Sequence, residues 1–173
     1  QARIARAEAE RADTERANAE RQLARTGRVK EFIMTLFGEQ DPIRRASTVA
    51  RTPVELIRDG VAVVGTSLAG EPELQAQLFK DLGEIQIGLD DRDAARETLK
   101  RAWEMQSALS GANSIATAET MVAYANAVYA HGDVAGAEPL LNDALAILRS
   151  AGAGDLVDAA LAESALANIK LIK

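Results

Sequence analysis

The sequence predicts an all-α fold made of stacked helical hairpins, and three observations predict it. The first is an echo: Gly83, Ala95, Leu99 and Ala102 are followed, 42 positions later, by Ala125, Ala137, Leu141 and Ala144. Small residues recurring at a fixed spacing mark where helices touch, and a unit of this length buries its apolar face only against a stacked neighbour. The second is composition: 35 of the 173 residues are alanine and only 3% are aromatic, which suits close helix packing with few large anchors. The third is the set of helix start and stop signals, Thr-Pro, Gly and Gly-Asp, that punctuates the apolar periodicity from Thr52 onward.

Residues 1–38 form the first expected element, a long helix rich in Ala, Arg and Glu. The i,i+4 pairs Arg6/Glu10, Arg11/Glu15 and Arg16/Glu20 support an exposed helix. A heptad seam runs through Ala2, Ala5, Ala9, Ala12, Arg16, Ala19, Leu23, Thr26 and Ile33. Alanine buries little area and Arg16 falls on the seam, so two readings stay open: a parallel homodimeric coiled coil through residues 1–37, or a single solvated helix. Gly27 marks a kink before an apolar turn, Val29, Phe32, Ile33, Leu36 and Phe37, where the helix is expected to dock.

Gly38 and Asp41-Pro42 end that helix, and residues 39–52 read as a polar linker. Arg44-Arg45-Ala46-Ser47 matches a basophilic kinase target over four residues only and reads as a plain solvated loop. Thr52 as N-cap and Pro53 at the first helical position open a lead helix over 53–69. Two repeats follow, at about 74–111 and 115–152, each a helix A and a helix B. A third helix A begins near Asp155, and the sequence reaches Lys173 where a turn and a helix B would be expected. Residues 155–173 are therefore a truncated repeat or a capping helix.

Charge is unevenly spread. Residues 1–30 carry eight Lys/Arg against five Asp/Glu, net +3, while the remainder is net −9, which disfavours nucleic acid as a partner of the array. The absence of cysteine removes disulfides and thiolate metal sites, and a single histidine, His131, leaves no histidine-based triad. Beside Gly132, His131 reads as the end of a helix A. The acidic run Asp90-Asp91-Arg92-Asp93 falls at a turn and helix start, where carboxylates cap free amides. It lacks the glycine and glutamate of an EF-hand loop. No phosphate loop, kinase catalytic motif, HExxH or GxSxG occurs, so no enzyme is expected within these residues and no cofactor or metal is implied. No apolar run is long enough to span a bilayer.

The small positions, Gly83, Ala95 and Ala102, then Ala125, Ala137 and Ala144, then Ala167, resemble the tetratricopeptide repeat, in its 42-residue variety found in kinesin light chains and many bacterial signalling proteins. Gln86 and Val128 stand where that family often has an aromatic residue. The resemblance implies a helical solenoid that binds a protein or peptide on the concave face of its A helices. In the first repeat that face includes Gln77, Lys80, Glu84 and Ile87; in the second, Glu119, Val122, Asn126 and Tyr129; in the third, Leu161, Ser164, Asn168 and Leu171. Of the residues that clamp a carboxylate tail in some members, Lys80 matches, whereas Glu84, Ala123, Leu161 and Ala165 depart. Asn126 and Asn168 either grip a peptide backbone or are solvated.

A second resemblance covers the N-terminal third. Gln1-Ala2-Arg3, the run Val29 to Phe37, Asp41-Pro42 and the helix from Thr52 to Gly60 resemble the stretch that follows the transmembrane helix in bacterial receptor-type serine/threonine protein kinases. It implies a non-catalytic sensor segment, with a membrane helix and kinase domain upstream and the array on the extracytoplasmic, periplasmic side. The net-basic start of the chain runs against the positive-inside rule for that side, so a cytoplasmic placement stays open. So does an interaction module of a transcriptional regulator or cytosolic adaptor. If residues 1–37 dimerise, changing Leu23 and Ile33 to Glu converts dimer to monomer in sedimentation while the repeats keep their helical signal. A monomeric mass for the unaltered chain removes the dimer reading.

Overall fold

The computed structural model describes residues 51–68 and 70–172, together with residues 15, 16, 20, 23, 26–32 and 34. The chain divides into two compact units, residues 1–49 and 50–173. In the first, residues 26–32 are helical through Gly27. Arg16 and Glu20 pair at 3.2 Å, one turn apart. Leu23 is exposed and Phe32 buried. The rest of the heptad seam, the docking residues Ile33, Leu36 and Phe37, and the linker from 39 to 50 with Arg44-Arg45-Ala46-Ser47 lie outside the described residues.

The second unit consists of α1 (Pro53–Ser67), α2 (Pro72–Gly88), α3 (Arg92–Ser110), α4 (Ile115–Ala130), α5 (Val134–Ser150) and α6 (Val157–Ile172), with no strand among the described residues. Helices α2, α4 and α6 are A helices; α3 and α5 are B helices. Local chemistry sets their starts. Thr52 closes a capping box on α1: its hydroxyl accepts from the Glu55 amide at 3.2 Å, and the Glu55 carboxylate accepts from the Thr52 amide at 2.8 Å. Ser114 and Asp133 cap α4 and α5 through the amides of Thr117 and Gly136. The two A-to-B turns need a left-handed residue at the same repeat position, which Asp90 fills at φ 61° and Gly132 at φ 98°.

Each helix packs on the next in sequence, and the A helices also pack on one another, α2 on α4 and α4 on α6. The echo residues make the contacts. Ala95, Leu99, Ala102, Ala125, Ala137, Leu141 and Ala144 are all fully buried. At Gly83 the approach is closest: a Cβ there would stand 2.5 Å from Leu99 Cγ and 2.8 Å from its Cδ2. Beyond α4 the core continues through Leu145, Leu148, Ala159, Ala162 and Ile169. Ala167, the small position of the third copy, is exposed because no helix lies against it among the described residues.

The lead helix has a repeat identity that its sequence hides. Gln75 Nε2 donates to the Val64 carbonyl at 2.9 Å, and Thr117 Oγ1 donates to the Gln106 carbonyl at 3.3 Å. These are the same joint 42 residues apart, so α1 stands against α2 as the B helix α3 stands against α4. Arg101 of α3 stacks its guanidinium over the buried Phe79 ring at 4.3 Å, and it lies against α1 at Gly65, where a Cβ would stand 3.4 Å from its Nη1. Trp103 of α3 stacks on Tyr124 of α4 with centroids 5.5 Å apart.

The Asp91 side chain does not cap α3; the carboxylates of the acidic run at 90–93 bond instead to other side chains. Asp91, the N-cap residue, makes no side-chain cap bond. Its carboxylate is instead held in bidentate fashion by Arg58 of α1, at 2.7 and 2.8 Å, with the Asp91 side chain only 7% exposed. Asp93 meets His131 Nε2 at 2.6 Å, Asp90 accepts from Arg92 Nε at 2.6 Å, and Arg92 also donates to the Ala130 carbonyl at the end of α4. His131 is the C-cap of α4, its amide donating to Ala127. The Arg58 hydrogen bonds hold the Asp91 carboxyl below its usual pKa, against a smaller opposing effect of burial. The stability this adds is present above the ordinary carboxylate pKa and is lost as pH falls through the lowered one.

Glycine to alanine inside a helix normally stabilises by about 0.5–1 kcal/mol. Gly83→Ala should nonetheless lower the urea midpoint, because the new methyl collides with Leu99. Gly88→Ala, where a Cβ would meet nothing, should raise the midpoint or leave it unchanged. Equal effects at the two sites would contradict the packing described.

Candidate partner-binding face

The A helices pack side by side, so the groove residues belong to one surface, but they differ in what they present. On α2, Lys80 is 21% exposed and lies 3.5 Å from Glu84, one turn on. Gln77, exposed beside it, donates to Asp81. Ile87 is half-buried against Ala95, Leu99, Ala123 and Ala127, so most of it belongs to the core.

On α4 the expected lining is partly overturned. Val122 is fully buried in the cluster of α4, α5 and α6 and has no surface to offer a ligand. The reason is geometric. A central A helix has helices on both flanks and a B helix behind, so it shows solvent a narrower stripe than an end helix does. Asn126 and Tyr129 lie on that stripe, both half-buried, and Tyr129 is braced against the same cluster. Neither Asn126 nor Asn168 forms a side-chain hydrogen bond among the described residues, which leaves both amides free to donate and accept.

On α6 the lining is apolar and open: Leu161 is 48% exposed and Leu171 85%. Val157 and Ile172 at the helix ends are also exposed, and Ser164 and Asn168 lie between.

Glu119 on α4 gives the face its electrostatic character. Its carboxyl is pushed above the ordinary value, first by burial and then by Asp158 of α6, with Lys80 of α2 pulling the other way. Charges on the neighbouring A helices thus act in opposite directions on one half-buried carboxylate, which sequence spacing places on this face. Among the described residues no group of His, Cys, Asp and Glu could hold a metal ion, and no helix is long and apolar enough to cross a membrane.

Residues 74–150 match the family model of the tetratricopeptide repeat. This segment is a tetratricopeptide repeat array. No curated protein matches the chain. Tetratricopeptide repeats generally mediate protein–protein interaction and are generally non-catalytic, so the segment is an interaction module.

A folded-state pKa raised above the unfolded one means that Glu119 adds stability only while protonated. That contribution is full below the ordinary carboxylate pKa and is lost as pH rises through the raised value. Glu119→Gln should therefore match the parent chain in urea unfolding at pH 3.5 and exceed it slightly at pH 7.5, by less than about 1 kcal/mol, since solvent screens the site. A lower stability for the glutamine variant at pH 7.5 would show that the carboxylate is stabilising as it stands.

Proposed function

We propose that this chain is the partner-binding sensor segment of a bacterial membrane-bound serine/threonine protein kinase, gripping a protein or peptide along the A-helix face. The observation that carries the binding face is Tyr129: a rigid ring braced from behind by the core, next to the uncommitted amide of Asn126. A ring fixed in this way supplies apolar area and a hydroxyl at low entropic cost, the profile of residues that dominate interfaces. Lys80, Asn126 and Asn168 orient the ligand, while Leu161 and Leu171 receive its apolar side chains. Ile87 contributes an edge, and Glu84 tunes Lys80.

The kinase context is supported by the resemblance of Val29 to Phe37, Asp41-Pro42 and Thr52 to Gly60 to the membrane-proximal stretch of those receptors. In that setting the array lies on the extracytoplasmic side, anchored by an upstream helix, and an interaction there is passed to a kinase within. The gene's upstream coding sequence tests this directly: a kinase domain followed by about 20 apolar residues supports it. A winged-helix DNA-binding domain in that place assigns the array to a transcriptional regulator.

With a partner in hand, Tyr129→Ala should cost about 2 kcal/mol or more of binding free energy, read by titration calorimetry. Binding that survives Tyr129→Ala combined with Asn126→Ala, yet is lost when the outer B-helix surface is altered, would move the site off the A helices.

A further inference from the structure

The contact between a B-type helix and the start of the next one occurs twice, and the two copies differ in what fills them. In the first, Arg58 of α1 reaches Asp91, the N-cap residue of α3, and donates to both carboxylate oxygens at 2.7 and 2.8 Å. One repeat later, 42 residues on, Lys100 of α3 stands where Arg58 does, and Asp133, the N-cap residue of α5, stands where Asp91 does. Among the described residues no ion pair joins these two. Lys100 turns to Glu104 at 3.8 Å, and Asp133 Oδ1 accepts from the Gly136 amide at 2.8 Å. A cavity of about 260 Å³ lies open between them, lined by Glu97 and Lys100 of α3, Tyr124 and Val128 of α4, Asp133, and Leu140 of α5.

Lysine carries a point charge in place of the planar fork that grips a carboxylate by two parallel bonds, which is why the second contact stays open. The first contact shows what the position accepts. Asp91 makes no cap bond to its own helix and gives its carboxylate to a guanidinium instead. Asp133 keeps the same choice, since Oδ1 is engaged by an amide and Oδ2 has no hydrogen bond among the described residues. Glu97, across the cavity, has no side-chain bond there either. Tyr124, fixed by its stack on Trp103, joins Val128 and Leu140 in an apolar wall suited to a methylene stem.

We infer that the cavity between α3, α4 and α5 receives an arginine side chain of a polypeptide partner, its guanidinium held by Asp133 and Glu97 as Arg58 is held by Asp91. This site is separate from the A-helix groove and does not depend on it. Arg96 and Lys100 on the rim oppose a second positive charge, so the pocket selects a lone arginine over a basic cluster.

The test is a titration of the ¹⁵N-labelled full chain with three short peptides, Ser-Gly-X-Gly-Ser, in which X is arginine, lysine or citrulline, the neutral isostere of arginine. The Gly136 amide reports directly, because Asp133 leaves it when a guanidinium binds. The arginine peptide should shift that resonance to saturation, with lysine and citrulline about tenfold weaker. Asp133→Asn retains a capping side chain and should abolish the response. Lys100→Arg should close the cavity from within, as Arg58 does in the first copy, and weaken the arginine peptide about tenfold, whereas Lys100→Gln leaves it open and should not weaken binding.

Equal responses to arginine and citrulline, no response to any peptide, or binding that survives Asp133→Asn would each overturn the inference. Equal losses in Lys100→Arg and Lys100→Gln would do so too, by making the lysine itself the contact. Arginine-peptide binding that is lost in Tyr129→Ala but kept in Asp133→Asn would place the arginine in the A-helix groove, so that this pocket falls and the groove stands.

Discussion

Leu99 occupies the volume where a side-chain carbon on residue 83 would have to lie, and the stack is arranged around that approach. With glycine at 83 the two helices of the first hairpin close until leucine meets backbone. Ala125 against Ala137 and Leu141 repeats the arrangement one unit later with every partner fully buried. Close contact at one point of each hairpin fixes the angle between its helices, since interiors at crystal-like density have little room to adjust. The same angle lays α2 beside α4 and α4 beside α6, so the continuous A-helix surface is a product of the small residues behind it.

Much of this was legible in the sequence because small residues and capping residues act locally. The echo names the contact positions, and Thr52, Ser114 and Asp133 start helices through bonds to amides within three residues. What escaped depends on partners distant in sequence. Asp91 has the position of a cap, but Arg58, 33 residues earlier, competes successfully for its carboxylate. Val122 has the spacing of a groove residue but lies between helices that the spacing does not reveal. The B-like role of α1 could have been read from Ile57 and Gly60, which precede Leu99 and Ala102 by one repeat length. The signal was masked because Pro53 replaces alanine at the first of the small positions.

Polar chemistry divides the array into two regions with different uses. Along the A-to-B turns the polar side chains are engaged: Arg58 by Asp91, His131 by Asp93, Arg92 by Asp90 and the end of α4. These ties join successive units at their rims and add orientation to a contact that is otherwise greasy and non-directional. Along the A helices fewer are engaged: Glu119 is half-buried, and Asn126 and Asn168 make no side-chain hydrogen bond among the described residues.

The exposure of α6 on the side facing away from α5 comes with a change of chemistry at the repeat positions. Phe79 and Met121, both buried, are succeeded one repeat on by Glu163, which is exposed and tied to Arg149 at 2.7 Å. Gln86 and Val128, buried in turn, are succeeded by exposed Lys170. The side that α2 and α4 lay into the core is thus polar on α6, so a helix placed against it would meet a carboxylate and an ammonium where the earlier hairpins meet Phe79, Met121 and Val128.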